Sequence, residues 1–290
     1  GRSRSGVRFP HMADLRNVTV LLVGGAGGIG RATARLLLAD GAHVTIASRS
    51  AERLEAEAGR LSPIAEAAGG SVRWTVCDSL DPEQVAATVA LAAEPAGRLD
   101  AAVGIAGGGP LAPVLRYDVA TLEDTLRRNI TSFYLVLQQA GQAMIRSGAG
   151  GSIVAVSSMQ ATQAAPMFAA YCAAKAGLEM LVRCAAEELG GHRIRVNAVR
   201  PGLTRTDATT GMFADSGVMD AYMEQQPLDR PGEAEDVAGA IRYFCGPESA
   251  WTTGQCIAVD GGTSLRRFPV LTEFYRSRLG ADGVGQLPAP

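Results

Sequence analysis

The chain has 290 residues, 27 basic and 29 acidic, with a net charge of −2 and no block of either sign. This balance argues against nucleic acid as the main partner and against electrostatic attachment to a membrane, and the length suits one large α/β domain. The 35 glycines, about 12% where ~7% is usual, imply tight turns or close backbone approach, and the cations are 26 arginines and one lysine, Lys175.

Residues 1–12, biased toward Arg, Ser and Gly with a Met only at position 12, read as an expression leader outside the fold. Residues 18–23 then form an apolar run that stops at Gly24, and residues 29–39 repeat apolar side chains at helical spacing. That pattern is strand, glycine turn, helix. Short apolar runs at 43–47, 72–76, 101–105, 153–156, 194–199 and 256–259 continue the alternation, with helical segments between them. Buried strands joined by helices predict parallel crossovers. The expected fold is one doubly wound (Rossmann) α/β domain over residues 13–262, a parallel seven-stranded sheet with helices on both faces.

Two segments fall outside that rhythm. Residues 207–226, rich in Met, are expected to form a loop with a short helix acting as a substrate lid. Residues 263–290 form a C-terminal extension whose Phe268, Leu271, Phe274 and Tyr275 are apolar enough to dock. We expect that tail at a contact between subunits. Five scattered cysteines without a CxxC pair and three histidines argue against a disulfide framework and a metal site. Residues 147–174, the longest uncharged stretch, hold too much Ser, Gln, Gly and Pro for a membrane span. The reading is a soluble, cytoplasmic protein that binds a small molecule.

The turn Gly24-Gly25-Ala26-Gly27-Gly28-Ile29-Gly30 joins the first strand to the first helix. Free backbone N–H groups and the helix dipole there can receive a pyrophosphate. Ser48 and Arg49 close the second strand, where an acid would bond a ribose and exclude a 2′-phosphate. An arginine instead favours the phosphate, so NADP(H) is expected over NAD(H), with NAD(H) still possible. Asp78, just past the third strand, suits either an adenine amino group or a turn cap. Tyr171 and Lys175, four apart in a helical segment, project from one face. A compact cation beside a phenol favours its phenolate, a role that a planar guanidinium does not fill.

Together these residues resemble the short-chain dehydrogenase/reductase family over about residues 14–262. The family's glycine motif matches Gly24, Gly28 and Gly30, its YxxxK pair Tyr171 and Lys175, its serine Ser158 and its helix asparagine Asn129. The resemblance implies a hydride transfer in which Tyr171 exchanges the proton, Ser158 holds the substrate oxygen, Lys175 grips the ribose and Asn129 orders a relay water. It further implies that Gly24, Gly28, Ile29, Gly30, Ser48, Arg49, Asp78, Ala106, Gly107, Tyr171 and Lys175 line the cofactor. Asn197 and the Pro201-Gly202 turn, with Thr204 and Thr206, match the segment that holds the nicotinamide carboxamide, and a homotetramer is implied. Two departures stand out: Val23 replaces the usual Thr, and Gly104-Ile105-Ala106-Gly107 replaces Asn-Asn-Ala-Gly. Both sides of one interstrand bond are thus lost together, a nearly neutral change.

Substrate contacts are expected from 108–116, 159–168 and 207–226, whose Met159, Met167, Phe168, Met212, Phe213, Met219, Tyr222 and Met223 favour an apolar ketone or secondary alcohol. A 3-oxoacyl, polyketide, terpenoid or steroid group would fit. Arg200 and Arg205 suit either a substrate anion or local acids. The alternatives are an enoyl-thioester reductase and a catalytically silent dinucleotide-binding regulator.

Overall fold

The computed structural model describes residues 14–105 and 107–284. Residues 1–13, which include the expected leader, Ala106 and residues 285–290 lie outside the described residues. Seven strands form one sheet: β1 (Thr19–Val23), β2 (His43–Ser48), β3 (Ser71–Val76), β4 (Ala101–Gly104), β5 (Gly151–Val156), β6 (Ile194–Pro201) and β7 (Cys256–Val259). Their spatial order is β3-β2-β1-β4-β5-β6-β7 and every pairing is parallel. All seven expected strands are present, with ends moved by at most two residues. Val23 pairs with Ala47 on one side and Gly104 on the other. The strand order therefore reverses at β1, which opens a crevice above its carboxyl end.

Alternate residues along each strand feed opposite layers, as the two-residue period of a strand demands. Val20 and Leu22 pack with Leu37, Leu54 and Ile241, from α1 (Gly28–Ala39), α2 (Ala51–Ala68) and α9 (Ala234–Cys245). Leu21 and Val23 pack on the other face with Val85, Val136 and Leu178, from α3 (Pro82–Ala93), α5 (Ser132–Ser147) and α6 (Ala169–Leu189). The helices start where capping side chains allow. Ser50 accepts from the Arg53 amide to begin α2, and Asp81 accepts from Glu83 and Gln84 ahead of α3. Between α1 and α9 the buried Arg242 meets Asp40 at 2.6 Å and also Glu248.

A third apolar cluster caps the carboxyl end of the sheet. It joins Met159, Met167 and Phe168, which follow β5, to Val218 and Tyr222 and to Phe268, Leu271 and Tyr275 of the tail. Residues 207–226 hold two helices, α7 (Thr210–Phe213) and α8 (Ser216–Glu224), more order than the loop with one short helix expected. The tail continues into α10 (Thr272–Val284), and its Phe268, Leu271 and Tyr275 are buried against their own chain.

Candidate active site

The catalytic face is built by α6. Tyr171, Lys175 and Glu179 occupy successive turns, because residues four apart stack on one side of a helix. Lys175 is buried; its Nζ donates to the Val156 carbonyl at 2.9 Å and stands 5.6 Å from the centroid of the Tyr171 ring. Ser158, just past β5, lies within hydrogen-bonding reach of the half-buried Tyr171. Its hydroxyl also bonds the Gln160 side-chain oxygen. Three of the four expected catalytic side chains therefore meet at the carboxyl end of β5.

The fourth, Asn129, is fully buried in a π-turn (Arg127–Thr131) between α4 (Val119–Leu126) and α5. Its amide donates to the carbonyls of Gly108 at 2.7 Å and Thr125 at 2.8 Å, and its oxygen accepts from the Gly108 amide at 3.1 Å. One amide proton is thus committed to the loop after β4 and the other to α4. A Cβ on Gly107 would stand 2.5 Å from the Asn129 oxygen and 2.9 Å from the Lys175 Nζ. A side chain at 107 would therefore have to displace the Asn129 amide or the Lys175 ammonium.

Burial governs the acid–base groups. Desolvation pushes the Tyr171 phenol up to about 12, only partly countered by its bond to Ser158. It draws Lys175 down to about 8, partly countered by Glu179 one turn below. In the protein without cofactor the phenol is therefore held protonated, and the lowered value expected for Tyr171 does not arise from Lys175 alone.

Glu179 was missed by the sequence reading, although its spacing four after Lys175 was a usable signal. Its carboxylate is buried, accepts from Ser157 at 2.7 Å and receives both Nε (2.9 Å) and Nη2 (2.5 Å) of Arg200. Arg200 thus serves a local acid. Arg205 does likewise, meeting Glu233 at 3.3 Å and covering the Phe213 ring at 4.1 Å. Gln160 was missed too, for want of any motif.

The cofactor end fits a dinucleotide. Helix α1 begins at Gly27 without a side-chain cap and with no acid in its first turn, which leaves its N–H groups to an anion. A Cβ on Gly30 would stand 2.5 Å from the Gly24 carbonyl, so this turn closes only with glycine there. Thr206 lies against Gly28, and Thr204 and Thr206 are knotted by Thr209, whose hydroxyl donates to the Thr204 carbonyl at 2.6 Å. Gly202 packs on Asp260 and donates to the Val259 carbonyl at 3.0 Å, which sets the Pro201-Gly202 turn beside β7. Ser48 accepts weakly from Ser50 at 3.4 Å. Arg49 is exposed and pairs with no acid among the described residues, whereas Arg31 and Arg53 both clasp Asp207, at 3.0 and 2.9 Å. Asp78 caps a turn by accepting from Leu80 at 3.0 Å, and its second oxygen stays available. Ile29 packs on the core. Ala106 lies outside the described residues.

Among the described residues no metal-binding cluster exists, all five cysteines are free, and no helix is long and apolar enough to cross a membrane. Fold and site define an oxidoreductase acting on alcohol or carbonyl groups. A family model described as enoyl-(acyl carrier protein) reductase matches residues 24–264. The L-rhamnose 1-dehydrogenase (NAD(P)(+)) of a Sphingomonas species is 36% identical over 255 residues, 87% of this chain and 98% of that protein. The 2,5-dichloro-2,5-cyclohexadiene-1,4-diol dehydrogenase of Sphingobium indicum is 34% identical over 256 residues, again 87% and 98%. A short-chain type dehydrogenase/reductase structure from Mycobacterium ulcerans matches with TM-score 0.90 and 34% identity, over 95% of this chain and 100% of that one. The chain belongs to the short-chain dehydrogenase/reductase family.

Proposed function

We propose that the protein transfers a hydride between NADP(H) and the carbonyl or secondary alcohol of an apolar substrate. The observation that carries this reading is the meeting of Tyr171, Lys175 and Ser158 where the strand order opens its crevice. When bound, the dinucleotide supplies or accepts the hydride at the substrate carbon. Gly24, Gly28, Ile29 and Gly30 would hold its pyrophosphate. Ser48, Arg49 and Asp78 would hold the adenosine end, while Ala106, Gly107, Pro201, Gly202, Thr204 and Thr206 would line the nicotinamide half. The uncommitted guanidinium of Arg49 supports the preference for a 2′-phosphate, since both neighbouring arginines are already engaged.

The Tyr171 hydroxyl gives its proton to the carbonyl oxygen in reduction, and its raised pKa keeps that proton in place beforehand. Ser158 stabilises the developing alkoxide, and the Lys175 ammonium stabilises the phenolate left behind and binds the ribose. Asn129 acts by bracing the loop against Lys175. The apolar cluster around Met159, Met167, Phe168 and Tyr222 supports an apolar substrate. A cavity of about 450 Å³ between residues 113–115 and 165–169 lies beside it. Exposed Tyr134, Ile145 and Met180 on α5 and α6 support a homotetramer, and five free thiols support residence in the cytoplasm.

The test follows absorbance at 340 nm with NADPH or NADH against a panel of ketones and of enoyl thioesters. Ketone-dependent oxidation favouring NADPH is expected. Tyr171→Phe should lower kcat by about a hundredfold or more while NADPH binding, read by fluorescence, persists. Turnover of enoyl thioesters alone would reassign the protein to double-bond reduction. Cofactor binding with no turnover of either panel would make it a regulator.

A further inference from the structure

The cluster that caps the sheet leaves two buried polar atoms without partners, the hydroxyl of Tyr275 and the side-chain oxygen of Gln163. A buried hydroxyl without a partner bears its desolvation cost uncompensated, so each such group in a folded protein calls for a reason. Packing is not the reason, since Phe would fill the site of Tyr275 equally well. Tyr275 is 1% exposed, and its ring stands edge-on to that of Phe168 at 6.4 Å. Phe168 in turn lies 6.1 Å from the ring of Tyr171. One phenylalanine therefore separates the proposed proton donor from the orphaned hydroxyl of the tail.

The tail is held there by more than apolar contact. The Gln163 side-chain nitrogen donates to the carbonyls of Thr263 at 3.0 Å and Arg266 at 2.8 Å, which fastens the start of the tail to the segment following Ser158. The match to the Mycobacterium ulcerans structure covers more of this chain than residues 1–262 contain, so it reaches into this segment.

Resting on the reading of the site as a carbonyl reductase, we propose that Tyr275 determines specificity by hydrogen-bonding a second oxygen on the substrate. The substrate class is then an apolar ketone or secondary alcohol that carries a further hydroxyl or carbonyl oxygen away from the reacting carbon. Its hydrocarbon body lies against Met159 and Phe168, one oxygen meets Tyr171 and Ser158, and the other meets Tyr275. Because the Tyr275 hydroxyl both donates and accepts, either a hydroxyl or a carbonyl on the substrate satisfies it.

The experiment measures kcat/KM of the full chain with NADPH on two matched pairs: 4-hydroxycyclohexanone against 4-methylcyclohexanone, and 4-hydroxyacetophenone against 4-methylacetophenone. The unaltered protein should favour the hydroxylated member of at least one pair. Tyr275→Phe should lower that ratio about tenfold or more, chiefly through KM, with a Tm no lower than the parent. An unchanged ratio would overturn the proposal. So would a clear fall in Tm, because the hydroxyl would then have a partner within the fold. If the unaltered protein binds NADPH yet reduces none of the four ketones, the carbonyl-reductase reading itself fails, and the role of Tyr275 falls with it.

Discussion

Two buried cations, 67 positions apart in the chain, face the same penalty and meet it in opposite ways. Burial draws Arg242 down, but its hydrogen bonds to the carboxylates of Asp40 and Glu248 outweigh it and leave its pKa above the ordinary value. Burial also draws Lys175 down, and Glu179 offsets only part of this, so the ammonium stands at about 8. Lys175 has one backbone carbonyl within hydrogen-bonding distance and no carboxylate in a salt bridge among the described residues. The structural cation is compensated by its own fold. Lys175 is left short of negative charge, as the role proposed for it beside Tyr171 requires.

The largest effect that would test this contrast falls on activity. Lys175→Arg, which supplies the cation this chain otherwise uses, should lower kcat by about a hundredfold or more, measured at 340 nm. The planar guanidinium does not reproduce the compact point charge that Lys175 places against the Val156 carbonyl. Retained activity would show that charge alone suffices. Next comes Asp40→Asn, which removes one of the acids that compensate Arg242 and should cost about 3 kcal/mol, read from urea unfolding. An unchanged midpoint would mean that Glu248 holds the guanidinium without it.

The smallest effect has the opposite sign. Lys175→Met should stabilise the cofactor-free protein at pH 7 by about 1–2 kcal/mol while it abolishes turnover. The folded value of about 8 lies below the ordinary 10.5, so between these the unfolded chain holds a proton that the folded one has released. The penalty is therefore complete below about pH 8 and gone above about pH 10.5. Unfolding midpoints of the two proteins should converge over that window; a constant gap would place the gain elsewhere.

Much of this molecule was legible before any coordinates. The apolar runs between glycine turns marked all seven strands, and helical spacing put Tyr171 beside Lys175. The edges of strands were less clear: β5 begins at Gly151, two residues before its apolar run, because Gly151 pairs with Ile194. Arg200 and Arg205 stayed open between substrate and structure until their acids were located at positions 179 and 233. The clasp of Asp207 by Arg31 and Arg53 spans 176 and 154 positions, and no local pattern announces it. Gln160 and Thr209 carried no motif, and the contacts that Phe268, Leu271 and Tyr275 make within their own chain could not be read from apolar content, which states only that a segment will bury itself.

The sequence by itself determined the doubly wound sheet, the glycine turn and the pairing of phenol with ammonium. Each of these is written in spacing along the chain, at periods set by strand and helix geometry. Only the tertiary structure decided which buried charges are compensated and which are left short, and where the tail comes to rest. Desolvation and ion pairing depend on groups brought together from distant positions, so the lysine was visible in the sequence while its depressed pKa became visible only in the fold.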